Sequence, residues 1–393
     1  MNKLLYTTIS INLVRNILLY LFLFFILILP DYLLQIRIIE ISQSILVVFI
    51  FLWYLIKNIL QKKINIFLII SFIFFIWRSG SSYIINDSVH DIVNTLIILS
   101  LILIINVDIK QNSFEILTGL NILLSVYVLS NFLSLFVFPA GMYADFVERV
   151  GQTRPAWFLG INNRFSFYLV PASAIAALSS WTKQGKLSLN FWIITVIGAL
   201  SLMMKDSMTG LVALLFNGIL LIAGLVGKRI MEKFSFFHFL TGYSIVWVVL
   251  VIVNNTKVFQ NFIVNVLQRD LTLSGRTNIW NATIEKISER SWLGYGINER
   301  VLLTVESFVA HNTVLQIILE SGIIGFSIFM TIFLIVGTIL YKNHNVIISY
   351  IITVGIFGIL VGGLTEAYPL NFLFLLMVLG YNMNKLVSVD IES

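Results

Sequence analysis

Long apolar runs recur along the whole chain, and they constrain its fold more than any other feature. About twelve of them are long enough to cross a bilayer as helices. They lie near residues 13–29, 38–56, 64–78, 89–107, 114–138, 159–180, 189–204, 208–227, 236–253, 309–340, 346–364 and 368–384. Only 11% of the residues are charged, whereas soluble domains carry about a quarter. The pattern predicts an all-α polytopic membrane protein, with residues 1–393 as a single integral membrane domain.

The start of the chain and its composition narrow this further. The run at 13–29 is too long for the core of a signal peptide and lacks a small-residue cleavage site, so we interpret it as a retained span. The absence of cysteine excludes disulfides and thiolate metal sites. The net charge of +6 is typical of a protein of the cytoplasmic membrane and does not indicate nucleic-acid binding.

The distribution of cations predicts the orientation. With spans alternating from a cytoplasmic N-terminus, the short cytoplasmic segments hold thirteen Lys and Arg residues and the short external segments six. Cations favour the cytoplasmic side, so both termini are predicted to lie in the cytoplasm and the protein in the inner membrane.

The external segments are rich in arginine. With the 254–308 loop added, they hold nine Arg and three Lys. Guanidinium groups match phosphate oxygens, so the set indicates an anion handled outside. For any single Arg, a position at lipid headgroup level explains it equally well.

Polar residues mark the predicted external start of the sixth span. Arg154 precedes a Pro–Gly-punctuated turn, and Asn163 and Arg164 stand where the helix is predicted to begin. A helix start offers free N–H groups and a positive dipole end. These side chains either cap the helix or line a polar pocket that faces outward.

Two further polar segments lie at predicted external ends. Lys205 and Asp206 form a turn ion pair, or Asp206 or Ser207 caps the eighth span and leaves Lys205 to contact an anion. The Arg78-Ser-Gly-Ser-Ser segment after the third span is interpreted as a loop rather than a site.

The longest polar stretch, residues 254–308, is predicted to be a large extracytoplasmic loop. Loops of this length are functional or disordered. Ser274 is a predicted N-cap that places Arg276 in the first turn of a helix. Trp280 and Ile284 recur at helical spacing, so the helix is amphipathic. An arginine beside free N–H groups fits a phosphate, although a neutral role on the surface fits the spacing as well.

A polar stripe begins the tenth span. Asn312, Gln316 and Glu320 follow His311 at four-residue steps and extend about 12 Å along the helix. A glutamate at that depth in a membrane must be paired or face a wet cavity. His311 is either a helix cap or a catalytic base. Glu366, at the outer end of the eleventh span, completes the external set.

These motifs carry a resemblance to a known family. Ser274-Gly-Arg-x-x-x-Trp, Gly294-x-Gly, His311-Asn-x-x-Leu-Gln and Glu320-x-Gly-Ile-Ile-Gly resemble the O-antigen polymerase and O-antigen ligase superfamily of bacterial membrane glycosyltransferases. The close match covers roughly residues 273–325. The layout, with one large external loop before the tenth span, is similar too.

The resemblance implies transfer of a glycan from a polyprenyl-diphosphate carrier at the outer face of the membrane, without a metal or other cofactor. It implies that Arg276 holds the diphosphate as it leaves, that His311 takes the proton from the attacking sugar hydroxyl, and that Trp280 stacks on a sugar face. Many members of the family carry Ser-Arg before the long loop, where this chain has Lys205 and Asp206. The second cation for the diphosphate therefore stays open among the three cations Lys205, Arg154 and Arg164.

The function favoured at this point is a polymerase that joins lipid-linked repeat units of a capsule, exopolysaccharide or O-antigen. The alternatives are a ligase with another acceptor, and a lipid-linked oligosaccharide flippase, which requires charges through both leaflets. The implied partners are the lipid-linked donor and acceptor, the bilayer, a flippase and chain-length regulators. The residues assigned to substrate binding are Arg154, Asn163, Arg164, Lys205, Trp280, Asn312, Gln316, Glu320 and Glu366.

Overall fold

The structure is a computed structural model that describes residues 11–86, 92–147, 152–266, 270–297, 301, 303, 307 and 309–387. Most of these residues are helical. The helices are α1 (Ile11–Leu27), α2 (Asp31–Leu34), α3 (Arg37–Leu60), α4 (Ile66–Asn86), α5 (Ile92–Val137), α6 (Phe165–Gln184), α7 (Leu189–Met204), α8 (Met208–Val226), α9 (Lys228–Lys233), α10 (Phe236–Trp247), α11 (Arg276–Glu289), α12 (Thr313–Lys342), α13 (Ile347–Gly362), α14 (Leu370–Tyr381) and α15 (Met383–Val387). Shorter turns of 3₁₀ or π type lie at Asn162–Arg164, Val248–Ile252, Thr256–Phe259 and Phe262–Val266.

The prediction of a polytopic helical membrane protein is confirmed. Within the described residues, five helices are long and apolar enough to cross a membrane, namely α3, α4, α5, α8 and α12. Five shorter apolar helices accompany them. Non-helical backbone at Asn112 divides the long helix α5 into residues 92–111 and 113–137, which match the fourth and fifth predicted spans. The total of twelve crossings stays a prediction.

One element departs from the all-α expectation. Strands β1 (Tyr143–Val147) and β2 (Gln152–Ala156) pair antiparallel, with Asp145 opposite Arg154. The segment combines aromatic and β-branched residues, which favour strands, with Pro155, which lacks an N–H for a helix. The resulting hairpin follows the end of α5.

The core is built around helices that are buried on nearly every side. Most residues of α13 and α14 are buried, as is the 92–111 half of α5. A helix that is apolar all round is stable only when other helices or lipid surround it. By contrast, α3 exposes large apolar side chains, among them Phe49, Trp53 and Leu60. Such an exposed face fits contact with hydrocarbon.

A second hydrophobic cluster lies apart from the main core and fixes the long polar loop. Trp280 of α11 packs there with Leu273, Ala310 and the Leu315 and Leu319 side chains of α12. We call this side of the molecule the loop end. Helix α2 also lies there, because Tyr32 donates its N–H to the Phe158 carbonyl beside the hairpin.

Helix α12 is interrupted where the loop crosses it. Gly322 has φ +65° and ψ −175°, so the backbone breaks between residues 313–321 and the rest of the helix. The Tyr295 and Gly296 amides donate to the carbonyls of Leu319 and Glu320 at 2.8 and 2.9 Å. The loop therefore runs directly against the first third of α12.

Candidate active site

The main finding at the loop end is a cluster of Arg276, Glu366 and His311. The Arg276 Nη2 group donates to Glu366 Oε1, and Glu366 Oε2 lies 2.9 Å from His311 Nδ1. Glu366 stands between α13 and α14, while Arg276 begins α11 and His311 precedes α12. The structure thus brings together the two residues implied as catalytic, through a carboxylate that sequence analysis had assigned to substrate binding.

The exposure of the three side chains differs in a way that matters for chemistry. The Glu366 side chain is 9% exposed and Arg276 14%, whereas His311 is 32% exposed. Burial by itself raises the pKa of the Glu366 carboxyl, but the hydrogen bond to His311 and the charge of Arg276 outweigh it and hold that pKa below its ordinary value. The cluster is therefore a buried carboxylate that holds a buried cation and a more accessible imidazole.

Backbone geometry sets the position of His311. Its φ of +46° is uncommon for a non-glycine residue. The next residue, Asn312, is the N-cap of α12: its Oδ1 accepts from the Leu315 N–H at 3.0 Å and from the Trp247 indole at 3.1 Å. Its amide nitrogen donates to the Leu364 carbonyl at 2.9 Å. Asn312 is fully buried. It therefore anchors the start of the helix and has no surface for the substrate contact that the sequence analysis assigned to it.

The turn before α11 is built differently from the prediction. The N-cap is Gly275, with φ +81°, and not Ser274. Asp270 organises the turn, because its Oδ1 accepts from the Thr272 and Ser274 amides. This places Arg276 at the first helical position, where its Nε donates to the Thr365 carbonyl at 2.5 Å.

Trp280 does not have the surroundings of a sugar platform. Its side chain is fully buried in the second hydrophobic cluster, and its indole N–H lies 3.4 Å from the His311 carbonyl. No ring face is left for a sugar, so the stacking role is not supported. The residue instead packs α11 against the backbone that carries the imidazole. The predicted amphipathic character of α11 is confirmed, since Ile284 and Ile287 pack on the same cluster.

A chain of polar contacts lies beneath His311. The Gln316 amide oxygen accepts from the Ala310 N–H at 2.9 Å, and its nitrogen donates to Glu320 Oε1 at 2.8 Å. Glu320 Oε2 in turn accepts from Arg78 Nε at 3.0 Å and Nη2 at 2.6 Å. Gln316 and Glu320 thus support the backbone next to the imidazole.

Arg78 was interpreted as part of a loop, and that interpretation is wrong. It lies within α4, and its side chain is only 11% exposed. A signal was present in the sequence: an arginine and a glutamate each placed near an apolar span both require a partner of opposite charge. Pairing Arg78 with Glu320 would have satisfied both requirements at once.

The three candidates for a second cation lie around the hairpin. Arg164 Nη1 donates to Asp31 Oδ2 at 2.7 Å, and Arg154 is exposed on β2. Lys205 Nζ donates to the Pro139 carbonyl at 3.1 Å and lies 4.1 Å from the centre of the Trp157 ring. Burial lowers the pKa of Arg164, but Asp31 more than offsets this and raises it.

The second-cation region adjoins the Arg276 cluster through α6. Asn163 and Arg164 form the 3₁₀ turn that leads into this helix, as predicted, and Asn163 is half-buried. Phe167 follows, and its ring centre is 4.4 Å from that of Tyr368. Tyr368 stands two residues after Glu366. The external arginines Arg149, Arg269 and Arg300, which formed part of the predicted anion-handling set, lie outside the described residues.

Comparison with known protein families finds a match over part of the chain. No curated protein matches the chain. Residues 193–330 match a family model described as O-antigen ligase. That segment contains Arg276, His311, Gln316 and Glu320, and it ends before Glu366. The match confirms the resemblance drawn from the motifs, because residues 193–330 include the segment near 273–325 that carries them.

Proposed function

We propose that this protein is a polysaccharide polymerase of the cytoplasmic membrane. It joins polyprenyl-diphosphate-linked repeat units of a capsule, exopolysaccharide or O-antigen at the outer face. The observation that carries the proposal is the Arg276–Glu366–His311 cluster within and beside the matched family segment. A base and a cation held by one carboxylate suit the transfer of a sugar from a diphosphate leaving group.

The roles follow from the contacts. A carboxylate at Nδ1 favours the tautomer with the proton on that nitrogen and leaves the Nε2 lone pair as the base. His311 Nε2 takes the proton from the acceptor hydroxyl as its oxygen bonds to the anomeric carbon of the donor. The bond from that carbon to the diphosphate oxygen breaks, and the electron pair leaves with the diphosphate. Atoms and charge balance with no redox step.

Arg276 is suited to the developing charge on the diphosphate. Its contacts with Thr365, Leu273 and Glu366 use three of its five N–H groups. Two remain without an acceptor among the described residues, and these can donate to phosphate oxygens. Because the guanidinium is already fixed, little reorganisation is required during transfer.

Arg164 is the best placed of the three candidates for a second diphosphate contact. Its side chain is 47% exposed, and it precedes the helix that contacts Tyr368. Although Nη1 donates to Asp31, a guanidinium has five N–H groups, so the remaining ones can donate to phosphate oxygens. Lys205 is engaged with a carbonyl and an indole ring. Replacement of each of the three cations by glutamine, one at a time, ranks them. Replacement of the residue that contacts the diphosphate should raise the KM for the lipid-linked donor more than replacement of either of the other two.

The decisive experiment supplies purified protein with one lipid-diphosphate-linked repeat unit. A polymerase gives a ladder of products, whereas a ligase requires a different acceptor and gives one transferred species. We expect H311A and R276A to remain folded in the membrane and to leave single repeat units on the carrier. Full-length polymer from either variant would exclude that residue from the mechanism.

Two further arms test the remaining parts of the proposal. Transfer is expected to survive EDTA; loss in EDTA that a divalent ion restores contradicts the metal-free mechanism. Movement of the lipid-linked unit across vesicle membranes without bond formation supports the flippase alternative instead. The Arg276–Glu366–His311 cluster, which places a base beside a cation at the loop end, favours the transferase.

A further inference from the structure

A groove at the other end of the molecule combines a charged floor with an apolar wall. It lies between α1 and α3, which each pack along α5 but contact one another little. The cavity holds about 600 Å³ and is lined by Leu19, Phe49, Trp53, Tyr54, Lys57 and Asp108, among others. Lys57 stands twenty residues after the start of α3 near the loop end, about 30 Å along the helix axis.

The floor of the groove is a buried carboxylate with three donors. Asp108 Oδ1 accepts from Lys57 Nζ at 2.7 Å, and its Oδ2 accepts from the Tyr20 and Tyr54 hydroxyls, both at 3.0 Å. The Asp108 side chain is 6% exposed. Both carboxylate oxygens are thus engaged, and Asp108 is not available to an incoming cation.

Lys57 retains capacity to bind a further acceptor. Its side chain is 31% exposed. Asp108 is its one hydrogen-bond acceptor among the described residues, and it also lies 5.1 Å from the centre of the Tyr54 ring. An ammonium group has three N–H donors, so two are left on the side of the cavity. An ammonium at the border of hydrocarbon is stable only when oxygens surround it.

The wall changes from polar to apolar along one face of α3. Phe49, Trp53 and Lys57 follow at four-residue intervals and therefore lie on the same side of the helix. Phe49 and Trp53 are largely exposed, and Leu19 of α1 faces them across the groove. The groove thus presents a cation at one end and about 12 Å of apolar surface beyond it.

We propose that this groove binds an anionic phospholipid, with its phosphate on Lys57 and an acyl chain along Trp53 and Phe49. Charge complementarity at this end favours an anion: Lys57 lines the groove, and outside its lining Lys62 follows at the end of α3 and Lys110 lies two residues after Asp108. Lys63 donates to the Val107 carbonyl. This end carries the lysine-rich segments assigned to the cytoplasmic side, and anionic lipids attract such clusters. The site is separate from the proposed transferase chemistry.

The test uses the full chain, delipidated in detergent and titrated with phosphatidylglycerol or phosphatidylcholine of identical acyl chains. Native mass spectrometry counts bound lipid. We expect the natural chain to retain phosphatidylglycerol in preference to phosphatidylcholine. In K57Q the ratio of bound phosphatidylglycerol to bound phosphatidylcholine should fall about fivefold. Lys186→Gln changes an exposed lysine away from the cavity and should leave the preference unchanged.

A second variant protects the result against misfolding. Trp53→Ala leaves the Lys57–Asp108 pair intact and shortens only the apolar wall, so it should weaken both lipids alike while the unfolding temperature stays the same. Equal binding of both lipids by the natural chain overturns the proposal. Displacement of phosphatidylglycerol by an equimolar polyprenyl phosphate also overturns it, because the groove then belongs to the carrier lipid.

Discussion

At the scale of single residues, Glu366 changes the interpretation of the site. It accepts from Arg276 and contacts His311 Nδ1, so one carboxylate fixes both groups implied in the chemistry. A catalytic imidazole requires a partner that holds its ring and its tautomer. In the proposed mechanism, Glu366 is therefore a positioning residue for the base and the cation, whereas the sequence alone had assigned it to substrate binding.

Replacement of Glu366 by glutamine tests this role. The glutamine side chain keeps the shape but lacks the charge, so His311 loses its orienting carboxylate and Arg276 its counter-ion. We expect kcat to fall about 10²- to 10⁴-fold, with a smaller change in the KM for the lipid-linked donor. Glu40→Gln removes an exposed carboxylate paired with Arg37 and is the matched control. A kcat for E366Q equal to that of the control contradicts the positioning role.

The lowered pKa of Glu366 predicts a pH dependence of stability. Because the ionised carboxylate is favoured in the folded state, it stabilises the protein at pH values above the ordinary carboxyl pKa. This contribution is lost as the pH falls through the lowered pKa. The difference in unfolding temperature between the natural chain and E366Q should therefore be largest near neutral pH and shrink in acid. A difference that is constant with pH would falsify this assignment.

At the scale of elements, the contact of the loop with α12 depends on two glycines. Gly294 has φ +74° and Gly322 has φ +65°. A Cβ at Gly322 would lie 2.1 Å from the Trp292 carbonyl oxygen, and one at Gly294 would lie 2.6 Å from the Gly322 nitrogen. The two backbones approach too closely for any side chain. The Gly-x-Gly and Glu-x-Gly motifs therefore form the two sides of a single packing contact between the loop and α12.

Substitution of Gly322 by alanine should separate the loop from the helix. Both the clash with backbone and the left-handed φ oppose a Cβ, so we expect a loss of about 1–3 kcal/mol and a reduced rate of transfer. Thermal unfolding in detergent measures the first effect. Gly242→Ala in α10 is the control, since no atom lies within 4 Å of its added Cβ. An unchanged unfolding temperature in G322A means that the loop contact does not support the fold.

The Arg78–Glu320 ion pair is a second contact that holds these elements together. It joins α4 to the first third of α12, and both side chains are nearly buried. Removal of one partner leaves an uncompensated charge, which is costly in a low-dielectric region. Through Gln316 the same pair supports the Ala310 amide beside His311. The polar stripe of α12 thus joins two helices and the loop, and its glutamate is paired, as the sequence required of a glutamate at that position.

At the scale of the whole molecule, arginines of the loop end are held by carboxylates. Arg78, Arg164 and Arg276 pair with Glu320, Asp31 and Glu366, respectively. Under the proposed function, an anionic substrate competes with these carboxylates for guanidinium groups that are already in place. The partner carboxylates come from α12, α2 and the segment before α14, so the region is assembled from distant parts of the chain.

Thiol labelling tests the predicted orientation. The chain has no cysteine, so a single introduced thiol gives an unambiguous signal. Ala367→Cys, next to Glu366, should react with an impermeant reagent applied to intact cells. Gln61→Cys, exposed at the end of α3, should react only after lysis. The reverse pattern would place the Arg276 cluster in the cytoplasm.

The sequence alone determined that the chain folds in a lipid bilayer, and it indicated the main residues of the candidate site. Apolar runs of about twenty residues require a bilayer whatever their neighbours are, and the spacing around Arg276 and His311 predicted α11 and the start of α12. Only the tertiary structure decided the partners. Glu366 lies 90 positions from Arg276 and 55 from His311, and Trp280 is buried in a cluster with residues of other segments, among them Val251 and Leu315. Periodicity reports which face of a helix is apolar, but contacts between segments distant in sequence depend on how the helices pack.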